Sequence, residues 1–198
     1  MEIIGLSGFA RTGKDEAAKV LVEEFGFTQI AFADRLRSFL YDLNPIVRHH
    51  MKPSDSLYWA EEFPFLKDVI DEYGWDGYKE TVWKDEIRRL LQRLGTEAGR
   101  QNLGDTIWID SAFRGLPDDA KIVVSDPRFF NEFDAIRARG GQVWRVNRPG
   151  VGPLNDHASE NEATDYPHFY CQLLNDGTLD DYREQVRMAY ELSKSEWG

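Results

Sequence analysis

The stretch GFARTGKD, Gly8 to Asp15, decides how this chain is read. It follows a short apolar run, Ile3, Ile4 and Leu6, and opens a segment with helical periodicity. Holding a phosphate chain asks for a particular set of parts. Glycines let backbone N–H groups turn inward, a lysine neutralises the outer phosphates, and a helix N-terminus aims its positive dipole end at them. Gly8, Gly13 and Lys14 supply those parts. The residue after such a lysine is usually Ser or Thr, whose hydroxyl ligates magnesium, and here it is Asp15. The strand, loop, helix order around these eight residues marks a nucleotide phosphate loop.

Downstream, Ala17, Ala18, Val20, Leu21, Val22 and Phe25 give a helix with a broad apolar face that Gly26 ends. Thr28 to Ala33 (TQIAFA) reads as a buried strand, and strand, helix and strand at this spacing form the parallel crossover of a doubly wound sheet. A helix led by Asp34, Arg35 and Arg37 follows, with Leu36, Phe39, Leu40 and Leu43 on one stripe and Pro45 at its end. From about 47 to 82 the pattern weakens under Pro53, Pro64, Gly74 and Gly77. This segment is expected to be a mostly helical, aromatic-rich insertion: a lid or substrate cover, or the packing of an ordinary subdomain. Trp83, Ile87, Leu90, Leu91 and Leu94 resume a helical stripe, with Gly95 and Gly99 beyond it. Arg88, Arg89, Arg93 and Arg100 lie nearby, and one or two of them facing a cleft would hold a phosphate.

Lys121 to Ser125 (KIVVS) is a central strand ending at Asp126-Pro127-Arg128. A carboxylate at that end can hold magnesium directly or through water, or it can be a turn-forming Asp before Pro. Asn131 to Arg139 reads as a helix and Gln142 to Val146 as a strand with Arg145, Asn147 and Arg148 at its end. Residues 149–164 form a polar flap, Phe169 to Leu174 a last strand, Asn175-Asp176-Gly177 a turn, and Leu179 to Lys194 a final amphipathic helix.

The 198 residues, 41% hydrophobic and 13% aromatic, suffice for one substantial core, so a single domain with insertions is expected. A net charge of -11 argues against a protein that coats nucleic acid, while a local cluster of Arg and Lys still suits small anions. Cys171, the single cysteine, excludes an intramolecular disulfide and is expected to be a small buried hydrophobe. Residues 1–7 run into the loop without a charged-then-apolar leader, and no apolar run would span a bilayer, so a soluble, cytoplasmic protein is expected. His49, His50 and His168 have no partner at metal-ligand spacing; His157, in the flap, is open to a phosphate contact.

GFARTGKD at 8–15, FADRLR at 32–37, LQRLGTEAGR at 91–100, SDPRFFNE at 125–132, HASE at 157–160 and LLNDGTLDD at 173–181 together resemble the phage deoxynucleoside monophosphate kinases. The resemblance runs nearly end to end. It implies an α/β P-loop kinase core, a doubly wound, mainly parallel five-stranded sheet flanked by helices, over residues 1–198 with the insertion and flap named above. It also implies transfer of the terminal phosphate of ATP to a deoxynucleoside monophosphate with Mg2+, and GKD is the form the loop resembles in this family. On this reading the backbone of Ala10, Arg11, Thr12, Gly13, Lys14 and Asp15 holds the donor phosphates, with Arg145 and Asn147 against the donor base or over the phosphates. Asp15 and Asp126 organise magnesium. Lys14, Arg11 and Arg128 carry the catalytic charge, and Asp34, Arg35, Arg37, Arg93, Arg128 and Glu132 receive the acceptor. ATP and deoxynucleoside monophosphates are then the partners, with no nucleic acid and no membrane. The location is the host cytoplasm if the gene is a phage's, and the resemblance leaves a homodimer open. Two other readings stand beside this one. A P-loop kinase for another small phosphorylated metabolite is the nearest, and a nucleotide-binding switch or assembly module is the second.

Overall fold

Apolar residues at two-residue spacing build the sheet, and helices cover both of its faces. In the computed structural model, which describes residues 1–48, 63–152 and 165–197, the chain runs β1 (Glu2–Ser7), α1 (Lys14–Phe25), β2 (Thr28–Ile30), α2 (Phe32–Leu43), α3 (Leu66–Gly77), α4 (Lys84–Gln92) and α5 (Gln101–Leu103). It continues through α6 (Ile107–Phe113), β3 (Lys121–Val124), α7 (Phe130–Ala138), β4 (Gln142–Asn147), β5 (Cys171–Leu174) and α8 (Leu179–Ser193). Two compact units result, residues 1–32 with 109–198, and residues 33–108.

The first unit holds the sheet, in the order β2-β3-β1-β4-β5 with every pair parallel. Gly5 on β1 stands opposite Val124 and Val143. Because side chains alternate across a strand, Ile4, Leu6, Val123, Trp144 and Val146 enter one buried cluster with Ala17 and Leu21 of α1 and Tyr182, Val186 and Tyr190 of α8. Their neighbours Ile3, Ile122, Val124 and Val143 enter the other, with Ile109 and Phe113 of α6 and Phe133 and Ile136 of α7. This is the five-stranded, doubly wound sheet that the sequence predicts. Its consequence is positional: in an all-parallel sheet the carboxyl ends of all strands meet at one edge, where ligands of such folds bind.

One strand boundary departs from expectation. The strand predicted over 28–33 stops at Ile30, because the Phe32 N–H turns to Asp126 Oδ1 at 2.8 Å and α2 begins there. At the outer strand, Gln185 of α8 answers both backbone groups of Leu174, accepting from its N–H at 3.1 Å and donating to its carbonyl at 3.0 Å. Cys171, on the same strand, is half-buried, and desolvation pushes its thiol up to about 12.

The second unit packs α2, α3 and α4 around Leu40, Val47, Leu66, Val69, Ile70, Tyr78 and Ile87. Of the expected insertion at 47–82, residues 49–62 lie outside the described residues, and most of the remainder is helical, as α3 and a 3₁₀ turn at Tyr78–Glu80. Tyr78 is buried, and Trp75 and Trp83 pack against this core. Only Leu40 of the predicted α2 stripe is buried; Phe39 and Leu43 are exposed. Gly95 and Gly99 do not end the helix after α4. It continues as a π-helix over Arg93–Arg100 and then into α5. Wider coiling changes where carbonyls point, and Trp108 Nε1 donates to the Gly95 carbonyl at 2.9 Å.

The Trp108 ring lies so close to this helix that a Cβ on Gly99 would meet its Cζ2 at 2.7 Å and the Leu94 carbonyl at 2.8 Å. In an open helix Gly→Ala stabilises by about 1 kcal/mol. Here overpacking of about 1–3 kcal/mol is expected to win. Gly99→Ala should therefore lower the urea midpoint of this unit, and a midpoint at or above the parent's would contradict the packing of Trp108 on the helix.

Candidate active site

The loop at residues 8–13 leaves β1 at Ser7 and enters α1 at Lys14. Glycine is needed at its first position because a Cβ on Gly8 would run into the Val146 carbonyl of β4. Arg11 sits in the left-handed region at φ 67°, a conformation that costs a non-glycine residue about 1–2 kcal/mol and is found where a loop is held to a shape. Thr12 is buried, and its hydroxyl donates to the Phe9 carbonyl at 2.9 Å. Gly13 turns the chain into the helix at φ 111°.

Lys14 lies folded into this loop. Its ammonium donates to the Gly8 and Phe9 carbonyls, each at 2.7 Å, which fixes a positive charge inside the curve of the backbone. Asp15, next on α1, is exposed in the helix's first turn. Ala10 and the Arg11 side chain are exposed as well.

At the end of β3, Asp126 is half-buried and holds the Phe32 N–H. Arg128, two residues on, is exposed. Glu132 is only 4% exposed, and its Oε2 accepts from the backbone of Arg128 at 2.7 Å and of Phe129 at 3.2 Å. It fixes the start of α7, and with it the backbone that carries Arg128. Magnesium is a hard cation that keeps several waters and takes one or two carboxylates besides substrate phosphates. Asp15 and Asp126 match that donor chemistry. Among the described residues no group of three His, Cys, Asp or Glu side chains offers a fuller cage.

Arg145, read from the sequence as a donor ligand, lies on β4 and is 4% exposed. Its guanidinium donates to Ser7 Oγ and to Asn147 Oδ1, each at 3.3 Å. It lies 5.0 Å from the Phe9 ring centroid and 5.8 Å from that of Phe169. Desolvation pulls its pKa below the usual arginine range. The cation thus supports the root of the loop, through Ser7 before it and Phe9 within it. Asn147 donates in turn to Gln172 Oε1 at 3.2 Å.

Two residues that sequence reasoning missed touch the loop. Asn175 Nδ2 donates to the Thr12 carbonyl at 2.9 Å, and the Tyr182 hydroxyl donates to the Gly13 carbonyl at 3.1 Å. The turn Asn175-Asp176-Gly177 had a sequence signal, but only as a turn. Burial, with Glu16 adding to it, pushes the Tyr182 hydroxyl above its ordinary range, so it remains a donor.

In the second unit, Asp34, Arg37, Ser38, Tyr41 and Trp75 line an open cleft of about 310 Å³. Arg37 pairs with Asp34 at 3.4 Å and stands 6.0 Å from the Trp75 ring centroid. Arg35 is exposed beside them in sequence, and Arg93 pairs with Glu97 at 3.2 Å on the π-helix. His49, His50 and His157, with most of the flap, lie outside the described residues. No helix among those described is long and apolar enough to cross a membrane.

The family model for deoxynucleotide monophosphate kinase matches residues 64–186. A putative deoxynucleotide monophosphate kinase of Acanthamoeba polyphaga mimivirus is 28% identical over 200 residues, covering 94% of this chain and 94% of its own. A deoxynucleoside-5′-monophosphate kinase of Escherichia phage T5 is 26% identical over 180 residues, 68% of this chain and 71% of its own. A deoxynucleotide monophosphate kinase of Enterobacteria phage T4 is 28% identical over 130 residues, 63% of this chain and 50% of its own. With the family's pattern running through more than half of its length, from the residue before Phe65 into α8, the chain belongs to the deoxynucleotide monophosphate kinase family.

Proposed function

We propose that this protein transfers the terminal phosphoryl group of ATP to the 5′-phosphate of a deoxynucleoside monophosphate, giving ADP and the diphosphate. The observation that carries this reading is the Lys14 ammonium drawn into the loop at residues 8–13, in a chain of this family. The acceptor phosphate is largely dianionic at pH 7, since its second pKa is about 6, so its oxygen needs no general base. That oxygen forms the new bond to the γ-phosphorus while the bond to the β–γ bridging oxygen breaks. The transition state is loose, with charge spread over the moving phosphoryl oxygens. What the protein contributes is placement and positive charge.

Lys14 and the N–H groups of the loop receive the donor phosphates, and Arg11, exposed at the crown of the loop, reaches the transferring group. Asp15 and Asp126 are the carboxylates for magnesium, which supplies charge neutralisation at the donor phosphates when bound. Arg128 pins the acceptor phosphate, with Glu132 holding its backbone. Arg145 acts from behind the loop, and Asn147 steadies Arg145 at the end of β4. Asp34, Arg35, Arg37 and Arg93 serve the acceptor, and Tyr41 and Trp75 are the rings that line the cleft beside Arg37. The protein acts on soluble nucleotides in the cytoplasm of the cell that makes it.

Lys14→Met fills similar space without the charge. It should fold as the parent does and lose at least about a hundredfold in turnover, the scale of one preorganised charge contact. Parent-like turnover in a folded variant would remove the loop from the chemistry. Arg128→Ala should raise the KM for the acceptor by about ten- to a hundredfold, as expected for a charge-assisted hydrogen bond, and leave ATP affinity unchanged. A selective loss of ATP binding would move Arg128 to the donor side.

A coupled assay of ADP release over ribo- and deoxynucleoside monophosphates tests the acceptor class and the sugar together. A site that leaves the 2′-hydroxyl unsatisfied rejects it by about tenfold or more. The kcat/KM for dGMP should therefore exceed that for GMP by at least about tenfold. Equal values would sink the sugar preference alone, whereas ADP release without any acceptor would point to a nucleotide switch.

A further inference from the structure

A loop that binds phosphate through its backbone must aim several N–H groups at one point. In a trans peptide the C=O and the following N–H point in opposite directions. Whatever holds a loop carbonyl on the outer side therefore aims the next N–H inward. Gly8 and Phe9 turn their carbonyls to the Lys14 ammonium. Thr12 and Gly13 turn theirs to other partners: the Thr12 carbonyl accepts from Asn175 Nδ2 at 2.9 Å, and the Gly13 carbonyl accepts from the Tyr182 hydroxyl at 3.1 Å and from the Ala17 N–H at 3.0 Å.

From these bonds we infer that Asn175 and Tyr182 are positioning residues for phosphate binding: by holding two carbonyls from outside, they aim the N–H groups of Gly13 and Lys14 at the donor phosphates. Both are themselves fixed. The Asn175 N–H donates to the Asn147 carbonyl at 2.8 Å, which ties the turn to the end of β4. Tyr182 is 1% exposed and stands in the first turn of α8, whose N-terminus Thr178 caps by accepting from the Asp181 N–H at 3.2 Å. The approach is close: a Cβ on Gly13 would meet Asn175 Nδ2 at 2.6 Å and Tyr182 Cε1 at 3.1 Å. Gly13 is thus required by its φ of 111° and also by the two side chains packed on its outer face. Neither side chain needs to touch a nucleotide to act in this way.

The inference rests on the reading of residues 8–15 as the donor loop, and the test separates the two. Inorganic tripolyphosphate carries the phosphates without sugar or base. Its affinity and that of ATP are measured by calorimetry for the parent, Lys14→Met, Asn175→Ala, Tyr182→Phe and Arg183→Ala, with a thermal melt of each. Arg183 pairs with Glu16 at 2.6 Å and touches no loop carbonyl, so its removal reports what fastening α8 to α1 is worth by itself.

Asn175→Ala and Tyr182→Phe should each weaken both ligands by about five- to tenfold, the scale of one lost hydrogen bond, with the KM for the acceptor unmoved. Arg183→Ala should lower the melting temperature and bind both ligands as the parent does. Unchanged affinity for both ligands in folded Asn175 and Tyr182 variants would reduce these bonds to fastenings. A loss for ATP but not for tripolyphosphate would make them nucleoside contacts and overturn the inference while leaving the donor loop standing. If Lys14→Met binds tripolyphosphate as the parent does, the donor-loop reading itself falls, and the inference with it.

Discussion

A backbone that binds an anion has to place its carbonyls elsewhere, and this constraint organises the carboxyl edge of the sheet. Every strand is parallel, so the ends of β1, β3, β4 and β5 arrive together and can serve one another's backbone. Asp126 takes the Phe32 N–H, Glu132 takes the N–H groups of Arg128 and Phe129, and Asn175 takes the Thr12 carbonyl. Polar side chains at this edge thus spend much of their hydrogen-bonding capacity on main chain. Buried backbone groups demand partners, and a loop without a neighbouring strand obtains them from side chains.

The same edge reconciles an acidic protein with anionic ligands. A net charge of -11 repels phosphate at long range, so attraction must be local. Some of the acid elsewhere is engaged: Glu16 with Arg183, Glu24 with Arg187, and Glu2 with Lys121. The Arg187 guanidinium holds Glu24 below the usual carboxylate range. Lys14 and Arg145, by contrast, are drawn in around the loop, where a partly desolvated setting strengthens their field. Arg145 is the clearer case, since burial alone accounts for its lowered pKa.

How much of this was legible in the sequence followed from how local each determinant is. Glycines and a lysine between a strand and a helix state their chemistry within eight residues, and the five strands are readable as short runs, the β-branched KIVV of β3 most plainly. Asp126 was visible as a strand-end carboxylate, but its bond to Phe32 spans 94 positions, and that bond ends β2 early. The continuation of the helix through Gly95 and Gly99 has no local signal, since Gly99 serves there to leave room for an indole from Trp108. Arg145 reads as a donor ligand from its place at a strand end, whereas its burial between β-strand and rings depends on Ser7 and Phe9, which no spacing rule connects to it. Asn175 and Tyr182 were missed for the same reason, being 163 and 169 positions from the carbonyls they hold.

The amide of Gln185 carries a consequence beyond the site. At Leu174 it copies what a neighbouring strand would offer, one acceptor and one donor, from a helix of the same chain. An outer strand normally presents a template on which other chains can polymerise. At this residue the template is already read, so an incoming segment would have to evict the glutamine before it gained its first bond. That internal competitor occupies the edge at Leu174 with a neutral side chain rather than with added charge.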